Sequence, residues 1–179
     1  MTESRRLLQH FLAAIAYRTQ KALRGAPPDF GDFRASPTSR TAHELLWHMT
    51  GLIGYARTMF HGGFFEPPRL GSLKDEVERF HGTLEALKAD FENETLSASI
   101  SDAQFLHGPL ADTMTHVGQL AFLRRLQGSP VASENFIFAS IDPNNLTPDQ
   151  PDPNAPDLDW QPDEMPHPPG PKRRNGTTS

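Results

Sequence analysis

Three side chains in this 179-residue chain have the types and spacing of a cation-binding set. Asp112 and His116 stand four apart in "DTMTHVGQLAFLRR", and His48 stands in "ELLWHMTGLIG". Residues four apart on a helix stack on one face, so the carboxylate and the imidazole at 112 and 116 point at one spot. Gly108 and Gln119 border that spot without large apolar groups, while Leu110, Met114, Val117, Ala121 and Leu123 supply a core. An oxygen and a nitrogen ligand at this spacing suit a divalent metal, as inward-facing carboxylates and histidines do in bundle cores. The same pair also reads as a solvated Asp–His helical contact, worth a few tenths of a kcal/mol. His48 sits between Trp47 and Met49, with Leu45, Leu46, Leu52 and Ile53 close by. An imidazole in such company is expected to be half-buried or more and to need a hydrogen bond, a charge or a metal. If the two segments pack together, two imidazoles and one carboxylate converge. That set leaves coordination positions open, as catalytic metal sites do.

A second group of residues surrounds this set in sequence. Glu44, one turn before His48, is a candidate acceptor for an imidazole N–H, although it also completes a capping box with Thr41. Gln119, one turn past His116, is a candidate to support the ring from behind. His107, five residues before Asp112, falls off the stripe and is placed at the mouth of a pocket. Tyr17 and Arg18 are candidates to line a cavity or bind an anionic substrate, a solvated arginine being the alternative for Arg18. His43 is five residues from His48, about 140° around a helix, and points elsewhere. His10, His61, His81 and His167 read as surface or loop residues.

Four helices must position these groups. Residues 4–24 carry Leu7, Leu8, Phe11, Leu12, Ile15, Ala16 and Leu23 at helical spacing, ended by Gly25-Ala26-Pro27-Pro28. The loop "APPDFGDFRASPTSR" leads to Thr41, the cap of a second helix that runs to Gly62-Gly63. A third spans Leu73–Phe91, with apolar residues at three- and four-residue steps. A fourth spans about Gln104–Leu126, where Gly108-Pro109 marks either its start or a kink. "VASENFIFASI" reads as a short extended segment. Ten of the 17 prolines fall in residues 142–179. That tail is expected to be irregular, either disordered or draped over the domain, with Trp160 gaining most from docking. The expected architecture is an all-α four-helix bundle over residues 1–141, followed by the tail at 142–179. Loops of about 10–15 residues between the helices allow a crossover or a roof over a site.

Composition removes several classes of chemistry. With no cysteine there is no disulfide framework, thiolate zinc site or cysteine nucleophile. A net charge of −5 and one short basic run, Lys172-Arg173-Arg174, argue against nucleic acid as the partner. No apolar run approaches a membrane span and none resembles a signal peptide, so a cytoplasmic protein is expected. Motifs for serine hydrolases, phosphate-binding loops and dinucleotide folds are missing from the sequence.

"RTAHELLWHMTGLIGYAR" and "GPLADTMTHVGQLAFLRRLQGSPV" resemble the DinB/YfiT-like superfamily of metal-binding four-helix proteins. The resemblance covers about residues 5–140. In that family a histidine on the second helix joins two ligands four apart on a later helix, just before a Gly-Gln pair. His48 matches the first position and His116, ahead of Gly118-Gln119, matches the last. Asp112 stands where the family most often has histidine, which makes the set harder and more anionic, suited to Zn, Ni, Fe or Mn. The resemblance implies convergence of His48, Asp112 and His116 on a divalent metal, a right-handed or crossover connection and a homodimer. It also implies, in some members, thiol-dependent S-transfer to a small molecule. A metal-dependent transferase or hydrolase, a non-catalytic metal- or ligand-binding dimer, and a purely structural dimer whose site binds nothing are the three functional expectations.

Overall fold

The computed structural model describes residues 1–156. Its described residues are all-helical, with no strand and two isolated backbone bridges, Arg34 to Thr41 and Glu134 to Pro156. Helix α1 (Glu3–Leu23) is capped by Thr2, whose hydroxyl accepts from the Arg5 N–H. Helix α2 (Ala42–His61) begins with the expected capping box: Thr41 Oγ1 accepts from Glu44 N, and the Glu44 carboxylate accepts from Thr41 N. It ends at Gly62, whose φ of 70° only glycine adopts without strain. Helix α3 (Leu73–Glu92) is capped by Ser72. The fourth rod is broken. A short α4 (Asp102–Phe105) starts from a second capping box, Ser101 with Gln104. A wide π turn over Leu106–Leu110 follows, and α5 (Ala111–Leu126) completes the rod. The kink alternative at Gly108-Pro109 is therefore the one adopted. Gly108 leaves helical geometry (φ −87°, ψ −109°), and Pro109 has no N–H to give to the ladder.

α2 packs on α3 and α5, and α1 packs on α5 and α3. α2 and α3, consecutive in sequence, make the most extensive of these contacts, whereas α1 packs on α3 and α5 and not chiefly on α2, which follows it in sequence. Phe80, Phe105, Leu12, Ile15, Leu46, Met49 and Ile53 fill the centre with no exposure. Phe60, Phe91 and Phe105 form a ring cluster beside it, covered by the Arg5 guanidinium at 4.9–5.6 Å from their centroids. Arg124 is buried against the end of α1 and donates to the carbonyls of Ala22, Arg24 and Gly25, groups a helix end otherwise leaves unpaired. No helix among the described residues is long and apolar enough to cross a membrane.

The segment after α5 lies on the helices. "VASENFIFASI" is not a strand; it is an irregular strap held by polar contacts to α1. Tyr17 Oη donates to Glu134 Oε1 at 2.6 Å and Lys21 Nζ donates to the Ala132 carbonyl at 2.7 Å. Farther on, Leu146 is buried in the core and Arg24 donates to the Gln150 and Pro151 carbonyls. Residues 142–156 are therefore draped over the helices. Trp160, His167 and the basic run at 172–174 lie outside the described residues.

His81 corrects a sequence expectation. It is not on the surface but 1 % exposed on α3, where its Nδ1 donates to the Leu146 carbonyl at 2.6 Å. The residue that covers it is 65 positions away. Burial lowers its pKa from 6.5 to about 4, with the Leu146 carbonyl opposing that shift. A folded-state value below the unfolded one means that the unfolded chain takes up the proton first as pH falls. Stability is therefore full above about pH 6.5 and is lost as pH falls toward 4, by roughly 3 kcal/mol from this group. Urea midpoints taken at pH 7 and pH 4.5 should fall further for the parent than for His81→Gln. An equal fall in both would remove His81 as the cause.

Candidate metal centre

The core stripe of α2, Leu45, Leu46, Met49, Ile53 and Ala56, leaves His48 at its edge, half-buried. On α5, Val117, Leu120 and Leu123 face inward, while Asp112, His116 and Gln119 run along the adjoining face. Because α2 and α5 pack directly, these two edges meet. The His48 and His116 rings stand edge to face, with centroids 4.8 Å apart and planes at 78°. His116 Nε2 lies 3.3 Å from Asp112 Oδ1. One ligand atom from each of His48, Asp112 and His116 falls within 4.8 Å of the other two. Atoms bound to one zinc-sized ion at 2.0–2.1 Å stand about 3.4 Å apart, so modest side-chain rotation closes the set. His116 is 8 % exposed and Asp112 is exposed, so the set opens to solvent on the carboxylate side.

Hydrogen bonding tests whether these residues fit a cation. His116 Nδ1 donates to Gln119 Oε1 at 3.1 Å. In the neutral ring this leaves the Nε2 lone pair facing the Asp112 carboxylate. Two electron-rich atoms 3.3 Å apart repel unless a proton or a metal lies between them. A ring fixed from behind by a side-chain acceptor is the usual arrangement of a metal-binding histidine. The His48 pKa is pushed below its ordinary value by burial first, then by the charges of Arg40 and His116, with Asp112 acting against them. A lowered pKa keeps that imidazole neutral near pH 7, the form that ligates. The donor set, two imidazole nitrogens and a carboxylate oxygen, could hold a metal ion.

Two recesses adjoin the set. A cleft of about 530 Å³ is lined by Trp47, His48, Leu52, Phe65 and Pro67. Its outer wall is fixed: Trp47 Nε1 donates to the Pro67 carbonyl at 2.9 Å, and the Phe65 ring rests on Gly54, where an added Cβ would fall 1.9 Å from Phe65 Cδ1. A groove of about 630 Å³ reaches Gln119 and is lined by Thr38, Ser39, Arg40, Leu45 and Phe122 among others.

The remaining sequence candidates separate. Gln119 is where expected, behind His116. Glu44 is not an acceptor for His48; its carboxylate is taken by Thr41 N, Arg34 and Arg69. Tyr17 is turned inward onto Glu134, and Arg18 lies against Met114 and over the Phe136 ring at 3.7 Å, so both serve the strap instead of the cleft or groove beside the triad. His107 is exposed in the π turn and, among the described residues, makes no contact with the triad. His43 faces α3, its Nε2 3.9 Å from the Glu76 carboxylate. Sequence reading passed over Arg40 and the Trp47–Phe65 wall. Arg40 had one available signal, its place directly before the Thr41 cap.

No family model matches the chain, and neither the curated proteins nor the solved structures compared with it contain a match.

Proposed function

We infer that this chain is a divalent-metal protein of the DinB/YfiT-like kind, a four-helix bundle in which His48, Asp112 and His116 hold the ion. One observation carries the reading. Three ligand atoms from two helices far apart in sequence lie within 4.8 Å of one another, with a carboxylate oxygen facing the imidazole nitrogen that Gln119 leaves bare. Three protein ligands leave positions for an outside group, and an ion there would supply Lewis acidity toward it. The protein's own contribution is to hold the His48 imidazole neutral, to fix the His116 ring through Gln119, and to border the opening with an apolar cleft and a polar groove. This supports metal-dependent group transfer or hydrolysis on a small molecule; a homodimer is the assembly that the resemblance to the DinB/YfiT-like superfamily implies.

Metal analysis of protein purified without a histidine tag tests the reading. About one divalent ion per chain is expected after dialysis against metal-containing buffer, with nitrogen and oxygen ligands in its absorption-edge spectrum. A chain that takes up less than about a tenth of an equivalent defeats it, and Asp112 and His116 then remain an ordinary helical pair. With metal shown, turnover of an electrophile by low-molecular-weight thiols separates a transferase from a non-catalytic binder.

A further inference from the structure

Arg40 stands out among the arginines near the site. Arg34, Arg57, Arg69 and Arg79 each pair with a carboxylate. Among the described residues Arg40 has no hydrogen-bond or ion-pair partner, in a chain of net charge −5. The loop that carries it is held at both ends. Phe30 is fully buried, and Arg34 ties Glu44 to the Ser39 carbonyl ahead of the Thr41 cap. Arg40 is thus displayed beside the candidate metal centre, near enough for its charge to act on His48. It shares the 630 Å³ groove with Gln119. Gln119 gives its oxygen to His116, which turns its amide N–H groups outward as donors. Leu45, Phe122 and Leu123 form the apolar wall of the same groove.

A groove with a guanidinium and an amide donor at one end and an apolar wall along its side is complementary to an organic anion. The planar fork of arginine matches a carboxylate with two parallel N–H···O bonds. Beyond the fork, Phe122, 58 % exposed, gives a flat apolar surface to a ligand's body. We propose that this groove binds a small carboxylate with an apolar body, its anion on Arg40 and its adjoining atoms beside the His48–Asp112–His116 centre. The proposal rests on the metal reading, and names the substrate class for it.

Phenylacetate is a suitable probe and phenylacetamide its neutral control, each titrated into full-length Co(II)-loaded protein. Binding is read by the visible Co(II) spectrum and by calorimetry. The expected result is saturable binding of phenylacetate, weakened about tenfold or more in Arg40→Ala and partly restored in Arg40→Lys, with phenylacetamide binding weakly in all three. Co(II) affinity in Arg40→Ala should equal or exceed that of the parent, because a cation has been removed from beside the metal. A merely structural arginine would weaken metal and carboxylate together. Equal phenylacetate affinity in parent and Arg40→Ala, or equal affinity for phenylacetamide, overturns the proposal while leaving the metal reading in place. Failure to take up Co(II) overturns the metal reading, and calorimetry with the metal-free protein then decides the Arg40 groove by the same comparison.

Discussion

His116→Ala should lose at least about 100-fold in divalent-metal affinity with little change in fold. Removing a group that only supports a ligand costs 10- to 100-fold, and removing a ligand costs no less. His116 is suited to the test because its side chain meets few obligations elsewhere. It sits within α5, where alanine is the best helix former, and its recorded partners are Gln119, Asp112 and the His48 ring. The unfolding temperature of the metal-free variant should stay within a few degrees of the metal-free parent. Competition against a chromophoric chelator gives the affinities. Asp112→Asn makes a graded companion: it keeps an oxygen at the position but removes the charge, and should fall between parent and His116→Ala. If all three proteins bind metal equally, the ion is held elsewhere and the geometry around His116 is an ordinary helical contact.

The second large effect concerns stability. Glu76→Ala should destabilise the chain by about 3–5 kcal/mol, the usual cost of breaking a buried charge pair from one side. Its carboxylate has no exposure. It accepts from Arg79 Nε at 3.0 Å and Nη2 at 2.6 Å, from Thr50 Oγ1 at 3.2 Å and from Leu70 N at 3.3 Å. Alanine removes the acceptor from the partly buried Arg79 guanidinium and from Leu70 N. For a chain of this size the unfolding midpoint should drop by roughly 10 °C in a thermal melt. Glu76→Gln separates shape from charge, since it keeps an oxygen in place and loses the anion that Arg79 requires. A drop below about 2 °C for Glu76→Ala would mean that the buried pair is neutral to stability. The loss also reaches the site: Leu70 N on Glu76 and Arg79 Nη1 on the Pro68 carbonyl hold the loop whose Pro67 receives Trp47.

Much of the helical framework was legible because its signals are local. Thr41 with Glu44 marks the start of α2 in four residues, and the three- and four-residue steps from Leu73 mark α3 almost to its end. Gly108-Pro109 announced a break without deciding its form. The answer lay upstream, in a capping box at Ser101 and Gln104 that starts the helix earlier. The spacing of Asp112 and His116 fixed a shared face, but meeting His48 depends on α2 packing against α5, a pairing that no local pattern encodes. His81 was misread for the same reason: Arg79 and Gly82 beside it look solvent-facing, and the carbonyl that covers it comes from Leu146. Tyr17 and Arg18 were expected to line a cavity or bind an anion; the strap that engages them instead is irregular and leaves no periodic trace.

The wide turn at Leu106–Leu110 separates the bookkeeping of two parts of one rod. Upstream, residues answer to the aromatic cluster at Phe105; downstream, Asp112 and His116 answer to the contact with α2. A continuous helix would transmit every insertion before residue 106 as a rotation of about 100° per residue. Here the non-helical Gly108 interrupts that transmission, so a change of length between α3 and the turn is expected to leave the azimuth of Asp112 and His116 in place.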